Sequence, residues 1–223
     1  MESIEYKGYT INIKYDEIAE NPRNWDNLGN MLCWHKRYSL GDENLKDDFS
    51  YMAECKLENL PKYCNSWEEI ENILKKEFKA FIIMPLYLYD HSGISMRTYR
   101  HGIHSSWDCG SIGFIYITKE KIYKEYNVKR ITKKLKEQIE NYLINEVEIY
   151  SNWLEGNIYF YNIENKNGEY INSCGGFYGY DFEENGLLDE AKSFIDYNIR
   201  EERKQKAEKI KSFIKNKVSL IYR

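Results

Sequence analysis

Proline and glycine are scarce in this chain, and long apolar runs are missing. Three prolines and 13 glycines are spread over 223 residues, so no flexible linker divides the chain into separate domains. The longest apolar run, AFIIMPLYLY at residues 80–89, is too short to cross a bilayer as a helix. The amino terminus also lacks the basic and apolar regions of a signal peptide. We therefore expect a cytoplasmic protein with no membrane partner.

Cysteine is present, but without the spacing of a structural site. The five cysteines form no Cys-x-x-Cys pair, and their odd number argues against a disulfide scaffold. Walker loops, dinucleotide fingerprints, Gly-x-Ser-x-Gly elbows, His-Glu-x-x-His motifs and helix-turn-helix or zinc-finger signatures are missing as well. These absences count against nucleotide-driven motors, dinucleotide oxidoreductases, common serine hydrolases and common DNA-binding modules. No motif indicates a cofactor, and a divalent metal ion is the one cofactor that the candidate residues below would suit.

Aromatic residues and an uneven charge distribution are what the chain does have. Aromatic side chains make up 16% of it and include 21 tyrosines, which is enough to build a packed core. The net charge is only −4, yet residues 1–60 carry twelve acidic and seven basic residues. Residues 200–223 carry nine basic and three acidic ones. This basic segment could contact nucleic acid, but its pattern is more typical of the solvated face of a long helix.

Turn signals and hydrophobic periodicity predict a series of hairpins and helices. Alternating apolar residues flank Lys7-Gly8 and Asn167-Gly168, which indicates a β-hairpin at each place. Pro85 interrupts an apolar strand and requires a bulge or an edge position. In chain order, we predict a hairpin at 3–15, an irregular surface segment at 16–31, a helix at 66–78, buried strands at 80–89 and 111–117, a short helix after Thr118, a helix at 131–154, a hairpin at 157–173 and a helix at about 187–216.

The order of these elements predicts the fold class. Strands do not alternate regularly with long helices, so a doubly wound parallel sheet is disfavoured. We predict an α+β fold: a mainly antiparallel β-sheet with helices packed on one face and a long, partly solvent-exposed C-terminal helix. Residues 1–185 should form the core domain, and residues 186–223 should form a helical extension packed on it. Apolar residues thin out beyond Arg200, so the far part of that helix should project into solvent.

Three of the four histidines fall in residues 87–116, which makes this stretch the first place to look for a metal site. His101-x-x-His104 would place two imidazoles near one ion, with His91, Asp90 or Asp108 completing the shell. The alternative is an incidental pair of loop histidines, and the spacing alone favours it.

The same stretch also suggests acid–base chemistry. Asp90-His91 follows a buried strand directly, and a carboxylate beside an imidazole could orient a general base, with Ser92 or a cysteine as the nucleophile. Alternatively, Asp90 and Ser92 only close a turn, and the sequence alone favours that interpretation. Trp107-Asp108 stands just before the second buried strand. If the two buried strands are antiparallel neighbours, these two corners lie at the same end of the sheet.

Four stretches resemble, in order, an uncharacterised family of proteins encoded by phages, prophages and plasmids. They are NPRNWDNLGNMLCWHKRYSLGD, PLYLYDHSG, WDCGSIGFIYIT and SCGGFYG, and the resemblance covers about residues 9–180. The chain departs from the family pattern between Gly93 and Trp107, which counts against the His101 and His104 metal site, and at Cys109, where relatives carry serine. The resemblance implies a genetic context and shared positions, but no reaction. Those positions are Trp25, Asp26, Asn27, Gly29, Leu40, Gly41, Asp42, Asp90, His91, Ser92, Gly93, Trp107, Asp108, Gly110, Gly113, Cys174 and Tyr178.

Two functions compete. The first is an accessory protein of a mobile genetic element that binds a host protein or ribonucleoprotein complex, as an inhibitor of a nucleic-acid-targeting defence system such as CRISPR. Its binding residues would be Trp25, Asp26, Asn27, Asp42, Ser92, Trp107 and Tyr178. The alternative is a small, metal-assisted hydrolase whose site gathers Asp26, Asp42, Asp90, His91 and Asp108, with Cys174 as the nucleophile. Direct nucleic-acid binding by the C-terminal helix is not favoured, because basic residues surround most of its circumference.

Overall fold

The computed structural model describes residues 2–44, 66–90, 93–99 and 109–221 of the chain. Almost every predicted helix and strand in these ranges is present. The elements in chain order are β1 (Glu2–Tyr6), β2 (Tyr9–Tyr15), β3 (Asn30–Cys33), β4 (Glu43–Asn44), α1 (Trp67–Lys76), β5 (Ala80–Asp90), β6 (Ile94–Arg97), β7 (Cys109–Thr118), α2 (Lys119–Tyr126), α3 (Lys133–Glu155), β8 (Ile158–Glu164), β9 (Tyr170–Tyr178) and α4 (Leu187–Ile221).

The α+β class is confirmed, and the strands form two sheets. One sheet has the order β1-β2-β8-β9 and the other has the order β4-β3-β7-β5-β6, with every pair antiparallel except β3 and β4. The chain divides into two compact units, the first built from residues 1–19 and 158–223 and the second from residues 20–157. The predicted boundary after residue 185 falls inside the first unit, where α4 and the four-stranded sheet share one core.

The first unit packs one face of its sheet against the start of α4. Its two hairpins turn where predicted, because Lys7, Gly8 and Gly168 all adopt the left-handed backbone that tight hairpin turns require. The shared core combines sheet residues Ile11, Ile13, Tyr159, Tyr161 and Ile163 with helix residues Leu187, Leu188, Ala191 and Ile195. Beyond Arg200 nearly every described side chain of α4 is exposed, as predicted.

The second unit has helices on both faces of its sheet rather than on one. Ile115 and Ile117 of β7 face α3, whereas Phe114 and Tyr116 face α1. Because β7 is central and buried on both sides, its sequence is a continuous apolar run with no alternation of polar residues. The sequence pattern therefore located the strand without revealing that it had two covered faces.

Proline and the helix caps lie where local chemistry requires them. Pro85 pairs with Phe114 just before an irregularity in register between Leu86 and Tyr87, and pairing of β5 with β6 begins only at Tyr87. The predicted bulge and the predicted edge position are therefore both compatible with its place in β5. Ser66, Thr118 and Thr132 each accept a hydrogen bond from the backbone N–H three residues further on, which begins α1, α2 and α3. None of the helices in the described ranges has both the length and the apolar character needed to cross a bilayer.

Two glycines of β7 provide a test of the packing between β3 and β7. A Cβ added at Gly113 would lie 1.9 Å from the carbonyl oxygen of Leu32, so Gly113→Ala should force β3 and β7 apart. We expect it to lower the free energy of unfolding by about 3 kcal/mol, measured by urea denaturation. Gly110→Ala is the matched control, because a Cβ there meets no atom of the described residues within 4 Å, and its cost should stay within about 0.5 kcal/mol. Equal midpoints for the two variants would contradict the packing.

Candidate functional site

A buried arginine organises the segment that contains the Trp-Asp-Asn motif. The side chain of Arg23 is 2% exposed, and it makes a two-pronged contact with Asp42 through Nε and Nη2, at 2.7 and 2.8 Å. Its Nη1 donates to Glu146 at 3.2 Å, and Nη2 also donates to the carbonyl of Gly29 at 2.8 Å. Two carboxylates and a carbonyl therefore compensate the buried charge.

The two carboxylates are in turn occupied by backbone groups. Glu146 accepts hydrogen bonds from the N–H of Leu28 at 2.6 Å and of Gly29 at 3.1 Å. Asp42 accepts one from the N–H of Met31 at 2.6 Å. We call Arg23, Asp42 and Glu146 the arginine frame. It joins the irregular segment before β3, the loop before β4 and helix α3, so its role is structural.

The electrostatics of neighbouring groups agree with a structural role. Burial by itself lowers the pKa of the Arg23 guanidinium, but hydrogen bonds and charge attraction from Asp42 and then Glu146 raise it above its ordinary value. Burial also raises the pKa of Tyr150 to about 12 and holds the pKa of the Cys33 thiol far above its usual range. Cys33 is therefore an unreactive core thiol.

The frame changes two interpretations of the sequence. Residues 16–29 have no strand or α-helix, as predicted, but residues 30 and 31 already belong to β3. The expectation that the segment lies on the surface is wrong for Pro22, Arg23, Leu28, Gly29 and Met31, which are buried. The sequence around Arg23 does not indicate that its partner is Glu146 on α3, because the two residues are 123 positions apart. The carboxylate of Asp42, predicted to bind a partner or to act in catalysis, is engaged inside the protein by Arg23 and Met31.

Asp26 and Asn27 line a surface groove of about 230 Å³, together with Leu28, whose backbone N–H donates to Glu146 of the frame. The other lining residues belong to helices α2 and α3. We call this groove the Asp26 groove. Trp25, which precedes Asp26 in the chain, is 42% exposed, and Tyr142 is 51% exposed. The lining residues are Asp26, Asn27, Leu28, Lys121, Glu125, Tyr126 and Tyr142.

Anionic and aromatic groups dominate the Asp26 groove. Lys121 is the basic residue of its lining, and its Nζ donates to the carbonyl of Asn27 at 2.6 Å. Burial first, and then the nearby Tyr142, Glu146 and Glu125, raise the pKa of Tyr126, so its phenol stays protonated at neutral pH. Two carboxylates beside two tyrosine rings suit an ammonium or guanidinium group. No local sequence signal indicated the α2 and α3 side of the groove, apart from a tyrosine at position 142 outside the apolar stripe of a predicted helix.

Asp90 lies at the end of β5, where a second polar cluster forms. Its carboxylate pairs with Arg37 and accepts a hydrogen bond from the Tyr38 hydroxyl at 3.4 Å. The guanidinium of Arg37 lies over the Tyr38 ring at 5.4 Å, and His35 stacks on the same ring at 4.8 Å. Arg37 is 70% exposed, so this pairing is worth little to stability.

His35 is the histidine that sequence reasoning left out of the site. Its Nδ1 accepts a hydrogen bond from the backbone N–H of Tyr38 at 3.1 Å, so the neutral ring carries its proton on Nε2. Burial, and then the charge of Arg37, lower the pKa of His35 against the opposing effect of Asp90. Its position in the motif CWHKRYSLGD could have identified it, since His35 is the one histidine outside residues 87–116.

The predicted antiparallel pairing of the two buried strands is confirmed. Of the residues predicted to meet at its end, Asp90 alone lies in the described part of the chain. Strands β5 and β7 are antiparallel neighbours with Tyr89 opposite Cys109, so Asp90 lies at the end where the chain enters β7. The intervening stretch contains β6, which pairs with Tyr87–Asp90 and was not predicted. His91, Ser92, His101, His104, Trp107 and Asp108 lie outside the described residues, so the shared pocket and its metal ligands stay predictions.

Cys174 and Tyr178 belong to β9 of the first unit, whereas Asp26, Asp42 and Asp90 belong to the second. The hydrolase hypothesis therefore draws its thiol and these carboxylates from different units, and it stays a prediction. The thiol of Cys174 is exposed on the edge strand of its sheet. Across the described part of the chain, no three His, Cys, Asp or Glu side chains are grouped closely enough to hold a metal ion.

The arginine frame leads to a prediction about stability. Glu146→Ala removes the acceptor for two backbone N–H groups and leaves Arg23 with less than its full compensation. We expect a loss of about 3–5 kcal/mol in the free energy of unfolding, measured by urea denaturation. Glu140→Ala is the control on the same helix, because Glu140 forms an exposed pair with Lys136 at 3.5 Å and should cost within about 0.5 kcal/mol. Similar losses for both variants would show that the frame is not structural.

The environment of His35 leads to a prediction about pH. The folded state favours the neutral ring, so the unfolded chain binds more protons once pH falls below the ordinary histidine pKa of 6.5. Stability should therefore fall as pH drops through that value and level off below the folded-state pKa. His35→Gln should lack this component, so the stability difference between wild type and variant should change between about pH 7.5 and pH 5. Parallel pH profiles would contradict the assignment.

Comparison with known proteins identifies no relative, so a function has to be argued from the geometry of the described residues. No family model, no curated protein and no solved structure matches the chain. The resemblance to proteins of phages, prophages and plasmids therefore stays a prediction that rests on the four motifs. Within the described residues, the Asp26 groove is the surface from which a function is proposed below.

Proposed function

We propose that this protein acts by binding, and that the Asp26 groove receives a basic side chain of a macromolecular partner. The observation that carries the proposal is the groove itself, in which Asp26 and Glu125 stand beside the rings of Tyr126 and Tyr142. Tyrosines that combine an apolar ring with a hydrogen-bonding hydroxyl are frequent at the energetic centres of interfaces. A lysine or arginine side chain would meet both the carboxylates and the ring faces.

The positions of the carboxylates favour binding over hydrolysis. Asp42 is held by Arg23 inside the protein, and Asp90 is paired with Arg37 and Tyr38. The oxygens of both carboxylates are therefore already occupied by partners within the protein. Asp26 and Glu125, by contrast, face solvent.

The partner that suits such a groove is a basic surface on a nucleic-acid-handling protein or ribonucleoprotein of the host. Such proteins present lysine and arginine to phosphates, and an acidic, aromatic groove could occupy those side chains. The motif resemblance supports a setting on a mobile genetic element. On this proposal the protein is an accessory factor in the host cytoplasm that inhibits a nucleic-acid-targeting defence system such as CRISPR.

Partner capture tests the groove. We expect the tagged protein to retain a host factor at low salt and to release most of it near about 0.5 M salt, where charge attraction is screened. Asp26→Asn and Tyr142→Ala should each weaken capture by roughly tenfold or more. Tyr180→Ala is the matched control, since Tyr180 is 75% exposed and belongs to the other unit.

A host carrying an active defence system tests the consequence. Wild-type protein and Tyr180→Ala should raise the survival of a targeted plasmid, while the groove variants should not. Capture that is insensitive to both groove substitutions would refute the groove as the binding site. Survival that is unchanged by wild-type protein would refute the inhibitory role.

A further inference from the structure

The distal part of α4 carries a second surface feature, independent of the Asp26 groove. Ile210, Phe213 and Ile214 are 53–59% exposed on a part of the helix where the surrounding side chains are exposed as well. Their spacing of three and four residues puts them on one face of the helix. Three large apolar side chains are thus held together in solvent within little more than one turn.

Positive charge surrounds this apolar face. Residues 203–217 contain seven basic residues and one acidic residue, Glu208. Glu208 precedes Ile210 by two positions, so it lies on the far side of the helix. Lys206 and Lys217 lie four residues before and seven residues after Ile210, so they are on the same side of the helix as the apolar residues. The Lys217 ammonium lies 4.9 Å from the centre of the Phe213 ring. The apolar face is therefore bordered by lysines and free of acidic residues.

The charge and spacing of these residues distinguish between the partners that could cover the apolar face. A second copy of α4 would bring two strongly basic segments together, and the repulsion would oppose pairing. Nucleic acid would satisfy the lysines but would leave Ile210 and Ile214 with no apolar contact. A helix docking into a protein groove uses anchors at i, i+3, i+4 and i+7, and the fourth of these positions is Lys217 rather than an apolar residue.

We infer that the distal part of α4 lies on an anionic lipid surface, which replaces the sequence-based expectation that the protein has no membrane partner. Ile210, Phe213 and Ile214 enter the boundary between headgroups and acyl chains, and the bordering lysines extend along that boundary to reach lipid phosphates. Such a helix lies in the plane of the interface and does not span the bilayer. Attraction between its basic residues and anionic headgroups supplements the shallow apolar contact.

Vesicle sedimentation with the full chain tests this inference. The probes are phosphatidylcholine vesicles with about 30% phosphatidylglycerol and vesicles of phosphatidylcholine alone. We expect the wild type to sediment with the anionic vesicles and to stay in solution with the neutral ones. The double variant Phe213→Ser and Ile214→Ser should bind the anionic vesicles roughly tenfold less well. The double variant Gln205→Ala and Ser212→Ala, on the polar side of the helix, should bind like the wild type.

Each other outcome overturns the inference. Absent binding to anionic vesicles, or equal binding by the serine variant, would show that the apolar face does not meet lipid. Self-association of the wild type in sedimentation velocity that is lost in the serine variant would assign the face to a second copy. Circular dichroism checks that both variants keep their helix content. The groove variants Asp26→Asn and Tyr142→Ala should bind vesicles normally, which separates this test from that of the proposed function.

Discussion

The charge of Arg23 is the constraint around which the second unit is organised. A guanidinium that is 2% exposed is tolerated only when its donors and charge are compensated, and here two carboxylates and a carbonyl do so. Each of those partners is then fixed by further bonds, Asp42 by Met31 and Glu146 by Leu28 and Gly29. Segments that have no regular secondary structure of their own thereby acquire a defined position against α3.

The Asp26 groove depends on that frame for its shape. Glu146 fixes the backbone of Leu28, the residue that follows Asp26 and Asn27 in the lining. Tyr142 lies one turn before Glu146 on α3, so the same helix supplies the inner anchor and the outer ring of the groove. Gly29 allows this closeness, because a Cβ there would lie 2.6 Å from a Leu143 methyl group. The Trp-Asp-Asn segment, which the sequence suggested as a binding or catalytic site, therefore has a structural role, while Asp26 itself is exposed to solvent.

Local signals predicted the elements well because each depends on neighbouring residues alone. The caps at Ser66 and Thr118 and the turns at Lys7-Gly8 and Asn167-Gly168 are present, and the antiparallel β5 and β7 follow from two buried apolar runs. Strand β6 was missed, since its four residues lie in a polar stretch and are stabilised by pairing with β5. For the site, Asp26 and Asn27 were predicted to bind, but their groove partners on α2 and α3 lie about a hundred residues away. No periodicity connects such distant positions.

By itself, the sequence determined the class of the fold, the starts of α1 and α2 and the exposure of the distal part of α4, because capping, turn chemistry and hydrophobic spacing act over a few residues. Tertiary structure decided that the strands divide into two sheets, that Asp42 pairs with Arg23, and that Asp26 and Tyr142 line the same groove. The reason is physical. A buried charge selects its partners by position in space, and position in space is set by the packing of the whole unit.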